Sequence, residues 1–154
     1  MPLKGKILLV DDETDFTDNV AKLLETRGFS AQAVHDGKSA IHALQEEDYD
    51  VMVLDLKMPG LDGIATLKKA LELGLSTQVL ILTGHGSVDT ALDAMKLGAY
   101  DYLAKPCEID ELVERINGAW DTKALAEKKE LEQKVKQASE SPRAALSFFK
   151  KKKN

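Results

Sequence analysis

Five short apolar runs, separated by longer amphipathic stretches, organise the first 118 residues. The run Lys6–Val10 (KILLV) is almost continuously apolar and ends at Asp11 and Asp12. Runs 29–34, 51–54 (VMVL), 79–82 (VLIL) and 100–104 follow at similar intervals. Runs this short, bounded by polar residues and turn formers, predict strands buried on both faces, as in a parallel sheet.

The intervening stretches carry apolar residues at helical spacing. Residues 14–27 place Phe16, Val20, Leu23 and Leu24 on one face and stop at Gly28. Asp36 and Gly37 open a helix with Ala40, Ile41 and Leu44. Pro59–Gly60 makes a turn before a helix with Ile64, Leu67 and Leu71, which runs to Gly74. Ser87 is placed to cap a helix with Val88, Leu92 and Met95 that stops at Gly98. A last helix carries Ile109, Leu112, Val113 and Ile116. Strands and helices alternating with short connections predict an α/β fold, a doubly wound five-stranded parallel sheet with helices on both faces.

Sheets of this kind bind ligands at the carboxyl ends of their strands. Four of the five predicted strands end in a chemically pointed residue: Asp11 with Asp12, Asp55, Thr83 and Lys105. Carboxylates gathered at one edge repel each other unless a cation sits among them. With oxygen ligands alone, and no metal spacing at His35, His42 or His85, that cation is a hard one, Mg²⁺ first. Asp55 is central and is the candidate nucleophile for an acyl phosphate. Lys105 supplies a point charge against phosphoryl oxygens, Thr83 a hydroxyl donor, and Gly84 the space for both.

Charge divides the chain in two. Residues 1–118 hold 11 Lys and Arg against 21 Asp and Glu, net −10; residues 119–154 hold 10 against 5, net +5, and the two sum to −5. The acidic body argues against a general nucleic-acid surface. One cysteine, Cys107, allows no internal bridge and is read as packed, in a reducing compartment. With no apolar leader at the N-terminus, the expected location is cytoplasmic.

The segments LLVDDE, VLDLKMPGLDG, ILTGHG and DYLAKP resemble, in order and spacing, the four signature segments of bacterial response-regulator receiver domains, across about residues 4–118. The resemblance is to a stand-alone, chemotaxis-receiver-like regulator. It implies the flavodoxin-like strand order 2-1-3-4-5 and a phosphorylation-dependent switch of a two-component system. The phosphoryl group would come from a histidine kinase or histidine phosphotransfer protein onto Asp55. Asp11 and Asp12 become the acidic pair for Mg²⁺, joined by Asp55 and the Lys57 backbone carbonyl. Thr83 becomes the switch hydroxyl, Lys105 the phosphate partner and Tyr102 the switch aromatic. Such a protein is no turnover enzyme; it promotes only its own phosphorylation and dephosphorylation. Its downstream protein target would meet the 87–118 face or the tail.

Two rivals are weighed against this. A haloacid-dehalogenase-type phosphatase also uses an aspartyl nucleophile and Mg²⁺, but on its first strand, with a second Asp two residues on; here the strand is the third and that residue is Lys57. The other is a phosphorylation-independent interaction module of the same fold, which the complete acidic set disfavours. Division falls into a domain at 1–118 and a basic helical tail at 119–154 with no recognisable output domain. Residues 118–139 are rich in helix formers and extend the last helix, with Trp120, Ala124, Leu131, Val135 and Ala138 as a sparse apolar stripe interrupted by Lys128. Pro142 ends it, and 143–153 (RAALSFFKKKK) follows. The tail admits a frayed terminus, a docking peptide for an acidic partner, or contact with an anionic membrane surface. Without a helix-turn-helix pattern, no direct DNA binding is expected.

Overall fold

The computed structural model describes residues 5–57, 63–84 and 88–140. Its strands are β1 (Lys6–Val10), β2 (Ser30–Val34), β3 (Val51–Asp55), β4 (Gln78–Thr83) and β5 (Asp101–Ala104). Its helices are α1 (Thr14–Thr26), α2 (Gly37–Glu46), α3 (Gly63–Glu72), α4 (Val88–Leu97) and α5 (Ile109–Glu140). All strand pairs are parallel, in the order β2-β1-β3-β4-β5. The doubly wound five-stranded sheet and its strand order are as expected.

Period-two alternation within the strands sends residues to two apolar layers. Leu8, Val10, Met52, Leu54 and Ile81 face the layer made with α2, α3 and α4. Ile7, Leu9, Val51, Val53, Leu80 and Leu82 face the layer made with α1 and α5. Both layers exclude water, and the inner strands β1, β3 and β4 are accordingly apolar and buried along most of their length, whereas the edge strands β2 and β5 are largely half-buried and carry Ser30, Gln32 and Asp101. The helices close as their sequences direct. Asp36 caps α2 by accepting from the Ser39 N–H at 2.7 Å, and Gly28 and Gly98 take positive φ of 94° and 123° just beyond α1 and α4. Ser87 and Pro59–Gly60 lie outside the described residues.

Three residues expected on inner helix faces point outward instead. Leu23, Leu71 and Leu92 are exposed. In each case smaller or better-aligned neighbours occupy the inner face: Thr17, Val20 and Leu24 on α1, Thr66, Leu67 and Ala70 on α3, Ala91 and Ala94 on α4. The helix faces are narrower than the apolar content suggests, because small residues let the backbone approach the sheet.

Helix α5 has 32 residues, about 48 Å at 1.5 Å per residue. It passes residue 118 without a break. Gly118 sits where Tyr100 crowds the helix, its hydroxyl 2.5 Å from where a Cβ would be. The inner face of α5 continues through Leu112, Ile116, Ala119 and Lys123, all buried. The Lys123 ammonium meets Asp50 at 2.8 Å, with Glu127 and Asp48 at 3.8 and 3.9 Å. Burial draws the Lys123 ammonium down, but its hydrogen bond to Asp50 and the surrounding acids outweigh that and leave its pKa raised. Ser76 adds a hydrogen bond to Glu127 at 3.0 Å. Packing against the sheet therefore extends to this cluster, beyond the expected boundary at 118. Leu125, Leu131 and Val135 farther along are exposed. Residues 141–154, with the RAALSFFKKKK segment, lie outside the described residues.

Candidate functional site

The parallel register brings the carboxyl ends of β1, β3, β4 and β5 to one edge of the sheet. β1 lies beside β3 with Val10 against Leu54, so Asp11 follows on one strand as Asp55 does on the next. Asp55 pairs with Leu82, one residue before Thr83. Thr83 pairs with Ala104, and its carbonyl accepts the Lys105 N–H at 2.6 Å. Neighbouring strand ends thus deliver the chosen side chains to a common place.

Asp11, Asp12 and Asp55 each offer a carboxylate oxygen within 4.8 Å of the others. Asp11 and Asp55 are buried, while Asp12 is exposed at the mouth. The Lys105 ammonium lies 2.5 Å from Asp11, 3.6 Å from Asp55 and 3.6 Å from Glu13. It also sits 4.5 Å from the centre of the Phe16 ring, whose π-face attracts a cation. Burial draws its pKa down, but the hydrogen bond to Asp11 and the charges of Asp55, Asp11 and Glu13 outweigh that and raise it. One ammonium thus faces three carboxylates.

Beneath the carboxylates the floor is apolar, a cavity of about 10 Å³ lined by Phe16, Val20, Val53 and Leu82 along with Asp11 and Asp55. Burial in this setting pushes the Asp55 carboxyl up to about 6, against the lowering pull of the Lys57 N–H, with the Asp11 charge adding to the rise. That N–H donates to Asp55 Oδ1 at 3.1 Å. Thr83 is buried, and among the described residues its hydroxyl makes a long contact, 3.4 Å, with the Gly84 carbonyl. A clustered set of oxygen donors with excess negative charge fits a hard divalent cation of the Mg²⁺ type.

A family comparison decides what carries this site. The model of the response regulator receiver domain matches residues 7–117. The chain belongs to the response regulator receiver-domain family. The FixJ transcriptional regulatory protein of Bradyrhizobium diazoefficiens is 40% identical to this receiver over 119 residues, 77% of this chain and 58% of FixJ. The regulatory protein AtoC of Escherichia coli is 38% identical over 112 residues, 70% of this chain but 23% of AtoC. The receiver domain of a Francisella response regulator superimposes with a TM-score of 0.72 at 34% identity, covering 77% of this chain and 98% of that one. This receiver thus spans little more than half of FixJ and a quarter of AtoC. The narrower resemblance to a stand-alone, chemotaxis-like regulator is not carried by these relatives, which are named as transcriptional regulators.

Asp11, Asp12, Asp55, Thr83 and Lys105 converge as their strand-end positions suggest. Tyr102 does not join the carboxylate cluster: it is half-buried and packs in the α2–α4 layer. Cys107 is half-buried against the α1–α5 layer, and burial pushes its thiol up. His85 lies outside the described residues, and His42 lies on α2. Four contributors were not foreseen. Glu13 follows the acidic pair directly and faces Lys105. Phe16, read only as a core residue, underlies the ammonium. Gly63 closes the VLDLKMPGLDG segment against the Leu56 backbone, where a Cβ would stand 2.3 Å from the Leu56 Cα. His35, given no role beyond its lack of metal spacing, touches the Asp11 carbonyl through Nδ1 at 3.1 Å.

Proposed function

We propose that Asp55 is the phosphoacceptor of this receiver, taking a phosphoryl group from the phosphohistidine of a histidine kinase or histidine phosphotransfer protein. The observation that carries this is the gathering of Asp11, Asp12, Asp55 and Lys105 at one sheet edge. An Asp55 oxygen attacks phosphorus as the P–N bond to the donor imidazole breaks; an aspartyl phosphate forms and the imidazole leaves with a proton. Asp11, Asp12, Asp55 and the Lys57 carbonyl would hold Mg²⁺. When bound, the ion offsets charge on the phosphoryl oxygens.

Lys105 pairs with Asp11 in the resting site and transfers its charge to the new phosphoryl group, drawing the end of β5 with it. The Thr83 hydroxyl, in long contact with the Gly84 carbonyl, turns to donate to the same group. Tyr102 on β5, next to α4, responds to that movement, and the 87–118 face then presents a changed surface to a protein target. The receiver acts on itself and is not a turnover enzyme. Its location is cytoplasmic; among the described residues no helix is long and apolar enough to cross a membrane. The output is contact with a protein, through this face or the tail. FixJ, of which this chain covers 58%, is a transcriptional regulator, so the absence of direct DNA binding is proposed for the receiver alone.

The test is intact-mass measurement after incubation with acetyl phosphate and Mg²⁺. Wild type should gain one phosphoryl group, and Asp55→Asn should gain none. An equal gain in the variant overturns the assignment. A wild type that gains nothing while folded points to the phosphorylation-independent interaction module.

A further inference from the structure

Asp11 is held at every polar atom it has. Its N–H donates to the Val34 carbonyl at 3.2 Å. Its carbonyl accepts from His35 Nδ1 at 3.1 Å. One carboxylate oxygen accepts the Glu13 N–H at 3.0 Å, and the other meets Lys105 at 2.5 Å. Two of the four ties come from one place, the end of β2, where Val34 and His35 are consecutive. The chain leaving β1 is thus fastened to β2 on both sides of the Asp11 Cα. Asp12, the next residue, is exposed and takes its backbone position from the peptide that His35 holds.

A carbonyl oxygen can only accept, so His35 Nδ1 must carry the hydrogen. That requirement selects the residue type. Leucine fills similar space and offers no donor, whereas asparagine places an amide N–H near the position of Nδ1. A donor fixing the peptide between two metal-binding residues acts on their geometry without touching the ion.

We propose that His35 is a positioning residue for the cation site, its Nδ1–H holding the Asp11–Asp12 peptide so that both carboxylates address one ion. This rests on the reading of Asp11, Asp12 and Asp55 as the Mg²⁺ site. His35 holds a backbone carbonyl and not a carboxylate of the site, so its removal should weaken the capture of Mg²⁺ and spare the chemistry once Mg²⁺ is bound. Loss of such supporting hydrogen bonds costs on the order of tenfold or more in metal affinity.

The experiment follows phosphorylation of the full chain by acetyl phosphate across a Mg²⁺ titration at one fixed pH, for wild type, His35→Leu and His35→Asn. Circular dichroism confirms the fold of each. The His35→Leu midpoint should rise about tenfold, with the wild-type rate recovered at saturating Mg²⁺, and His35→Asn should return the midpoint most of the way. An unchanged midpoint in His35→Leu overturns the proposal. So does a rate that saturating Mg²⁺ cannot recover, or an asparagine variant no better than leucine. A wild type whose rate ignores Mg²⁺ fails the metal-site reading itself, and the proposal with it; a Mg²⁺-dependent wild type with indifferent His35 variants fails the proposal alone.

Discussion

Replacing Asp55 with Asn should stabilise the Mg²⁺-free protein at neutral pH. Burial over an apolar floor raises the Asp55 carboxyl from 3.8 to about 6, so the folded state holds its proton more tightly than the unfolded chain. The folded state then binds more protons between these two values, and stability falls as pH rises through that window. The penalty is absent well below pH 3.8 and complete above about pH 6. At 1.36 kcal/mol per unit, ionised Asp55 costs the fold at most about 3 kcal/mol near pH 7.5, and about 1 kcal/mol near pH 4.5. Asparagine keeps the shape and has no charge to bury. For a chain of this size the gain at neutral pH corresponds to a Tm rise of about 5–10 °C, shrinking as the pH falls. Thermal melts in chelator-treated buffer at the two pH values measure it. Added Mg²⁺ should raise the wild-type Tm more than that of the variant, since the ion adds to the one positive charge, Lys105, that faces ionised Asp55. A Tm difference between the two proteins that is the same at both pH values refutes the reasoning.

Gly63→Ala should destabilise at or above the upper end of the about 1–3 kcal/mol range for overpacking, because its Cβ would stand 2.3 Å from the Leu56 Cα and 2.8 Å from the Asp55 carbonyl; urea melts and a slower acetyl phosphate reaction would show it. Gly118→Ala should destabilise despite the better helix propensity of alanine, since the Tyr100 hydroxyl is 2.5 Å from the new methyl. In a Tyr100→Phe background the same change should become stabilising, by up to about 1 kcal/mol, and a destabilising change in both backgrounds contradicts the close-approach argument. Lys123→Ala should cost about 2–3 kcal/mol, less than the removal of a fully buried partner, because Asp50 keeps its bond from the Lys6 N–H at 2.8 Å. Ending the chain after Gly118 should lower the Tm, whereas ending it after Glu130 should not; equal melting temperatures would remove the Lys123 cluster from the fold's support.

The inner strands were legible because burial on both faces leaves a plain mark, the apolar runs of β1, β3 and β4, whereas the edge strands β2 and β5 are only partly buried and mix polar with apolar residues. The convergence of Asp11, Asp55, Thr83 and Lys105 was legible for a related reason: in a parallel sheet, residues just after the strands are brought to one edge whatever the loops between them do. Leu23, Leu71 and Leu92 misled because hydrophobicity alone does not say which side of a helix approaches the sheet, and Ala91 and Ala94 win that place by being small. His35 was hidden because its partner is a backbone carbonyl, which has no identity in sequence. Lys123 was hidden because a lysine in a helix rich in charge looks solvated until Asp50 and Asp48, far away in the chain, are placed beside it.

Helix α5 begins a few residues after Lys105 and is gripped along its first half, through Lys123, before its outer half runs free of the sheet. Such a rod is a lever with its fulcrum at the Lys123–Asp50 contact. The free arm from there to Glu140 is about 25 Å at 1.5 Å per residue, so a tilt of only about 5° at the gripped end displaces its tip by about 2 Å. The arm from Ile109 to that contact is about 21 Å, so the two ends of the rod move by nearly equal amounts in opposite directions, and an adjustment beside Lys105 reaches Glu140 almost undiminished.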